Sequence, residues 1–389
     1  MSAVWEVFIR FFILGCSSFG GPAAHLGYFY KEFVENRHWL TKESYAQFVM
    51  LSQVVPGPGS SQVGFAIGYH RGGWSGAVAA FVGFTLPSVI IMLLFVWGNN
   101  ALDDNGFLQF WVQGLTLLAT VVVADACYTM WKQFCKSTTT RIIAIASIAF
   151  LALWSFGYGT LIMLFITALV GGFLPLNDNK SASELTDVRY ANTAGIVAVL
   201  LFVLSFFTFS SLAMNVFFDY YQAGSLVFGG GHVILPLLQS VLDQLPEEVI
   251  LSGYALAQSV PGPMFTVATF LGGMTGREMS DPFAFMLLGG MASLGVFLPG
   301  LLLMLFAQHH WKRFSAIPKI NAAIVALNAS VVGLLLFVFA TVVLPHSVLS
   351  FVDGIVMVCT GAWLFWKRPS ILVLLLVLSS ISWLRYWLA

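Results

Sequence analysis

Charge is what this sequence has least of. Only 9% of its 389 residues are Asp, Glu, Lys or Arg, against roughly a quarter in ordinary soluble domains. With 59% apolar residues, the chain cannot cover a water-facing surface, which excludes a soluble fold. Seventeen basic and seventeen acidic residues cancel, so nothing favours nucleic acid. Cysteine is scarce as well. Cys16, Cys127, Cys135 and Cys359 form neither a CxxC pair nor metal-ligand spacing, which removes a metal site and a disulfide framework and leaves them as small apolar fillers. No Gly-x-x-x-x-Gly-Lys-Ser/Thr loop occurs, so no ATPase is expected, and no cofactor is called for. Long polar stretches are missing too: the longest polar linker, Leu176 to Tyr190, is short. That leaves no room for a soluble domain or for a cleaved leader ahead of one.

What is present is membrane helix. Uncharged stretches such as Gly76 to Trp97 and Ile320 to Leu344 exceed the roughly 20 residues needed to cross a hydrocarbon core of about 30 Å. They recur to the C-terminus, so the expected class is an all-α polytopic integral membrane protein with the lipid bilayer as its solvent.

The chain also repeats itself. Leu51-Ser-Gln-Val-Val-Pro-Gly-Pro58 and Leu256-Ala-Gln-Ser-Val-Pro-Gly-Pro263 agree at six of eight positions. Upstream of each lies a Phe-Gly-Gly, at Phe19 to Gly21 and Phe228 to Gly230. Downstream lies a Leu-Pro, at Leu86-Pro87 and Leu298-Pro299. Further on, Ala119-Thr-Val-Val122 parallels Ala329-Ser-Val-Val332. The expected organisation is an N-terminal repeat unit at 1–177, a linker with a connecting transmembrane helix at 178–213, and an inverted C-terminal repeat unit at 214–389.

Each unit holds two broken apolar segments followed by four continuous ones. The extra helix between the units then reverses the second. Loop charge agrees, since Asp103 and Asp104 follow the first Leu-Pro helix but Lys312, Arg313 and Lys319 follow the second. If every broken segment spans, thirteen spans result, and twelve of the seventeen Lys and Arg residues are cytoplasmic. If each broken segment is instead a re-entrant hairpin with arms of about 13 residues and 20 Å, nine spans result and the cytoplasmic share rises to fifteen. The positive-inside rule favours the hairpins. Both schemes put the N-terminus in the cytoplasm and the C-terminus in the periplasm.

Unwound backbone survives at membrane depth only where it is buried in protein or lines a water-filled cavity, so four equivalent breaks suggest one shared cavity. Pro favours the first position of a helix. Pro22, Pro58 and Pro263 therefore mark new half-helices, with Gly231 as the fourth start. Helix N-termini offer unpaired N–H groups and the positive end of the dipole to a small anion. Gln53, Gly59, Ser60, Ser61, Gln62, Gln258 and Thr266 flank the breaks as neutral donors. His25, His232 and, at the far end of a half-helix, Arg71 with its counterpart Arg277 are cationic candidates. For any single Gly, close packing is the ordinary reading; the two histidines read equally as satisfied interior residues. Asp125, alone inside an apolar helix, is either functional or paired near the cytoplasmic end. Arg10 and Asp219 occupy matching positions with opposite sign, and Arg10 reads as an interfacial anchor.

Taken together, Phe19-Gly-Gly-Pro22 with His25, Gln53-Val-Val-Pro-Gly-Pro-Gly59, Phe228-Gly-Gly-Gly-His232 and Gln258-Ser-Val-Pro-Gly-Pro263 resemble the chromate ion transporter family of bacteria, in its long form with two fused homologous halves. The resemblance implies efflux of chromate across the inner membrane, chromate resistance, and sulfate as the look-alike competitor. The family's motif residues fall on Phe19, Gly20, Gly21, Pro22, Pro56, Gly57 and Pro58, and on Phe228, Gly229, Gly230, Pro261, Gly262 and Pro263, with Gly231 standing where Pro is expected. The expectation is a secondary transporter, not an enzyme, that binds a tetrahedral oxyanion between the half-helix N-termini. Import or exchange of sulfate or another anion, an intramembrane enzyme using Ser60 or Ser61 with a histidine, and a non-transporting scaffold stand as alternatives; a homodimer is left open.

Overall fold

In a computed structural model, residues 2–18, 21–99, 107–154, 159–174, 189–228, 234–242, 245–277, 279, 281, 283–314, 317–369 and 371–388 are described. All regular structure among them is helical. The helices are α1 (Ala3–Ser17), α2 (Gly21–Phe29, continuing as a π-helix over Tyr30–Asn36), α3 (Lys42–Val54), α4 (Gly59–Asn99), α5 (Phe107–Phe134), α6 (Thr138–Leu153), α7 (Gly159–Gly171) and α8 (Ala191–Leu204). Then come α9 (Leu212–Ser225), α10 (Ile234–Val241), α11 (Glu247–Ser259), α12 (Val267–Arg277), α13 (Ala284–Phe314), α14 (Pro318–Val338), α15 (Leu344–Ser347), α16 (Phe351–Lys367) and α17 (Ile371–Leu388). Three stretches, Gly59–Gly98, Ala284–His310 and Pro318–Thr341, are long and apolar enough to cross a membrane. Exposed Phe165, Ile196, Leu200 and Leu376 on shorter helices suit lipid contact.

Local chemistry sets the boundaries. Ser2 and Thr41 accept from the first-turn amides of Trp5 and Ser44, and Ser137 with Thr140 forms a reciprocal capping box. Pro22 lies in the first turn of α2, and Pro58 immediately precedes α4. At Gly72 and Gly73 the backbone leaves the helix (φ +60° at Gly73) and α4 doubles back on itself. Its limbs, 59–71 and 74–99, lie so close that a Cβ on Gly76 would meet the Gly68 carbonyl oxygen at 2.3 Å.

The chain forms two compact units, each drawing on both sequence repeats. The first comprises 1–101, 182–234 and 256–312. Within it, α1 packs against the second limb of α4 where Gly15 faces the Phe84 carbonyl, and α9 packs against α13 where Gly224 faces the Val296 carbonyl. Gly15 and Gly224 each stand four residues before a Phe-Gly-Gly, so the two repeats use the same contact. Phe11 stacks on Phe33 with ring centroids 4.7 Å apart; along one continuous helix they would be about 33 Å apart. The chain therefore turns back between α1 and α2, and the Glu6–Arg37 ion pair at 3.0 Å closes the far end of that turn.

The second unit comprises 102–181, 235–255 and 313–389. Its centre is α14, packed against α6 and α7. There Ser330 Oγ meets Ser147 Oγ at 2.9 Å and accepts from the Thr167 hydroxyl. Asp125 holds Arg368 through both carboxylate oxygens at 2.9 Å, so its charge is met by pairing. Cys127 and Cys135 are buried as fillers, whereas Cys16 and Cys359 are exposed.

Candidate functional site

All four sequence breaks belong to the first compact unit, and hydrogen bonds tie them together crosswise. The Gly57 N–H, inside the first Pro-Gly-Pro, donates to the Val227 carbonyl at 2.7 Å, just before the second Phe-Gly-Gly. Reciprocally, the Gly262 N–H donates to the Ser18 carbonyl at 3.0 Å, just before the first Phe-Gly-Gly. The two glycines have φ of +128° and +105°, a conformation that side chains other than glycine rarely adopt. Space excludes them as well. A Cβ on Gly57 would lie 2.6 Å from Gly300 Cα, and one on Gly262 would lie 2.8 Å from Ser88 Oγ. Ser88 and Gly300 follow Pro87 and Pro299, so each Pro-Gly-Pro rests beside the Leu-Pro of the other repeat.

Side chains extend this junction. The fully buried His25 ring lies 3.3 Å from Ser60 Oγ through Nδ1 and 3.2 Å from the Ser18 carbonyl oxygen through Nε2. Phe84 closes on the ring edge to face. Gln62 donates through Nε2 to the carbonyls of Pro56 and Gly300, and its Oε1 is buried without a partner among the described residues. The hydroxyls of Ser18, Ser61 and Thr85 are also buried and, among the described residues, unpartnered. Unpaired buried polar atoms are uncommon in proteins. Several of them at one junction mark a place suited to a polar guest.

Of the residues expected from the sequence, Gly21, Pro22, His25, Pro56, Gly57, Pro58, Gly59, Ser60, Ser61 and Gln62 stand at or beside this junction, together with Pro261, Gly262 and Pro263. Phe228 adjoins Val227, and Gln53 lies on α3 just ahead of the break. Phe19, Gly20, Gly229, Gly230, Gly231 and His232 lie outside the described residues. Thr266 donates to the Pro263 carbonyl, and Gln258 contacts the Met264 sulfur, so both side chains serve their own break. Sequence reasoning missed Ser18, Thr85, Ser88, Val227 and Gly300. Their only sequence signal is position: beside a Phe-Gly-Gly or a Leu-Pro.

Arg71 lies elsewhere, at the far end of its half-helix, paired with Glu6 at 3.2 Å. With Arg37, which pairs with both Glu6 and Glu32, and with Arg10 and Trp39, it lines an open polar cavity of about 530 Å³. Both Arg37 and Arg71 sit against the Trp39 ring. Burial alone would raise the Glu32 carboxyl, but hydrogen bonds from Arg37 and Asn36 hold it below its ordinary value.

The profile described as chromate transporter matches the chain twice, over residues 5–173 and 214–383. A probable chromate transport protein of Synechococcus elongatus is 26% identical over 97% of this chain and 94% of its own length. The chromate transport protein of Pseudomonas aeruginosa is 24% identical over 98% and 92%. An uncharacterized transporter of Bacillus subtilis is 23% identical over 43% of this chain but 95% of its own length, about one repeat. No solved structure matches.

Proposed function

Because the chain belongs to the chromate transporter family, a family of multi-pass membrane transporters rather than enzymes, we propose that it is a secondary transporter carrying chromate out of the cytoplasm across a bacterial inner membrane. The dianion binds where the four helix breaks meet. The observation that carries this reading is the reciprocal pair of backbone bonds, Gly57 to Val227 and Gly262 to Ser18, which gathers the breaks of both repeats at one point. Around that point stand the starts of α2 and α4, and the buried Ser18 and Ser61 hydroxyls, which have no hydrogen-bond partner among the described residues. Helix starts favour anions by roughly 0.3–1 kcal/mol each when exposed and more when desolvated. Neutral donors hold a dianion without trapping it.

Chromate is named by the relatives in Synechococcus and Pseudomonas; sulfate, with the same tetrahedral shape and charge, is the expected competitor. Residues 1–177 and 214–389 act as inverted repeats joined by the linker helix α8, and access alternates by movement of one repeat against the other. The close approach of Phe11 to Phe33 and of Glu6 to Arg37 supports re-entrant hairpins and nine spans, with the N-terminus inside and the C-terminus outside.

The test is chromate flux in proteoliposomes under an imposed potential or pH gradient, with sulfate as competitor. Sulfate-sensitive flux is the expected result. Folded protein that passes no chromate under either gradient overturns the proposal.

A further inference from the structure

The surroundings of His25 deepen this reading, and the inference rests on it: we propose that His25 is a positioning residue that links anion binding to uptake of one proton, by turning the Ser60 hydroxyl from the imidazole to the anion. The Ser18 carbonyl can only accept, so the Nε2 contact at 3.2 Å requires a hydrogen on Nε2. In the neutral ring Nδ1 then carries the lone pair, and Ser60, 3.3 Å away, must donate to it. The one hydroxyl hydrogen of Ser60 is thereby consumed, although Ser60 stands in the first turn of α4, beside the Pro-Gly-Pro. Adding a proton at Nδ1 reverses this bond. Ser60 Oγ becomes the acceptor, and its hydrogen is released to an oxyanion. Only an N–H bond is formed, with the proton taken from water on the side to which the site is open.

Among the described residues His25 has no ion pair of its own to hold that proton. The charged groups on α1 are Glu6 and Arg10, and on the π-helical continuation of α2 they are Lys31, Glu32 and Glu35. On α4 they are His70 and Arg71; α3 carries the exposed Lys42 and Glu43 in its first turn, and Tyr45, whose hydroxyl donates to the Leu26 carbonyl. Glu6, Glu32 and Arg71 are engaged with one another through Arg37 and Glu6 at the open polar cavity. Both polar partners of the ring among the described residues, Ser60 and Ser18, are neutral. A charged imidazole in such surroundings needs a nearby anion, and a buried dianion gains equally from the imidazolium. Two other hydroxyls, Ser18 and Ser61, adjoin the partners of His25 and are buried without a hydrogen-bond partner among the described residues. They are further donors for the same guest. The Ser18 carbonyl also receives the Gly262 N–H, so a charged ring would pull on the break of the other repeat.

Two measurements test this on the full-length protein in liposomes or nanodiscs. In the first, chromate KM is followed from about pH 8 to pH 6 for wild type, His25→Gln and Ser60→Ala. Chromate's own protonation is common to all three, so the difference between them reports the protein. One linked proton gives wild type up to about a tenfold gain in affinity per pH unit relative to His25→Gln. Ser60→Ala should flatten the profile in the same way, with the double variant no worse than the weaker single one. Equal pH slopes in wild type and His25→Gln overturn the inference while leaving the transport reading intact; no chromate flux in wild type overturns the transport reading itself. The second measurement, ring-¹⁵N spectra of histidine-labelled protein with His25 assigned by His25→Asn, does not depend on transport. Nε2–H alone without anion and both nitrogens protonated with saturating chromate is the expected pair of states. A ring that stays neutral with chromate bound overturns the inference, even if His25→Gln fails to fold.

Discussion

Replacing Gly57 by alanine is the sharpest perturbation of the junction, because conformation and space are violated together. At φ of +128° a side chain strains the backbone by about 1–2 kcal/mol. Its Cβ would stand 2.6 Å from Gly300 Cα and 3.0 Å from Gln62 Nε2. Gly300 Cα is backbone and cannot swing away, and Gln62 is already committed to two carbonyls. Overpacking of this kind costs about 1–3 kcal/mol, which brings Gly57→Ala to about 2–5 kcal/mol. Gly262→Ala carries similar backbone strain at +105°, but its first clash is with Ser88 Oγ, a group that can rotate. It should be milder, and Ser88→Ala should recover the hydroxyl part of its steric share, with Ser88 Cβ still 3.1 Å away. Gly73→Ala is the control: φ is +60° and ψ −150° with nothing within 4 Å, so about 1–3 kcal/mol of backbone strain is expected and no clash. Thermal denaturation in one detergent, alongside chromate flux, should order the variants as Gly73→Ala, then Gly262→Ala, then Gly57→Ala. A Gly57→Ala protein as stable and as active as Gly73→Ala would refute the reasoning.

Other consequences are simpler to read. If the first two broken segments are re-entrant, Lys42→Cys and Lys132→Cys react with impermeant thiol reagents from the same, cytoplasmic side, and labelling from opposite sides removes the hairpins. Asp125→Asn should lower stability by no more than about 1 kcal/mol, because Arg368 is 56% exposed, and should leave chromate flux unchanged; folded protein that has lost flux would instead give Asp125 a part in transport.

The duplication was legible because the residues that break helices also punctuate sequence. Pro22 and Pro58 start helices where their missing N–H costs nothing, and Pro87 and Pro299 mark matching points in α4 and α13. After the breaks the chain continues as the second limb of α4 with α5, α6 and α7, and as α13, α14, α16 and α17. The pairing of the breaks was not legible. Gly57 and Val227 are 170 positions apart, and nothing in the local pattern selects one long-range partner over another. Donor roles were misjudged for a related reason. Gln62 and Thr266 have the right chemistry for an anion, yet backbone carbonyls freed by the adjacent breaks are nearer and take their hydrogens. Ser18, an unremarked serine before Phe-Gly-Gly, accepts through its carbonyl from Gly262 and the His25 ring, while its own hydroxyl is left over as a donor.

That exchange between the repeats has a consequence for cutting the chain. Residues 1–177 alone would hold Gly57 without the Val227 carbonyl and Ser18 without the Gly262 N–H. An unsatisfied buried backbone group costs about 1–3 kcal/mol in water-soluble proteins and several in lipid, and the isolated repeat would carry one at the Gly57 N–H, because the Ser18 carbonyl keeps its contact with the His25 ring. Residues 1–177 and 190–389, co-expressed as separate chains, keep every one of these bonds, because none depends on the linker between them. Co-expression should therefore restore a complex that copurifies and transports chromate, whereas the first piece alone should aggregate or pair with another copy of itself. Size-exclusion chromatography with light scattering in detergent, followed by a thermal melt, distinguishes these states. A monomer of residues 1–177 that melts as high as the whole chain would mean that the reciprocal bonds are not what holds the breaks in place.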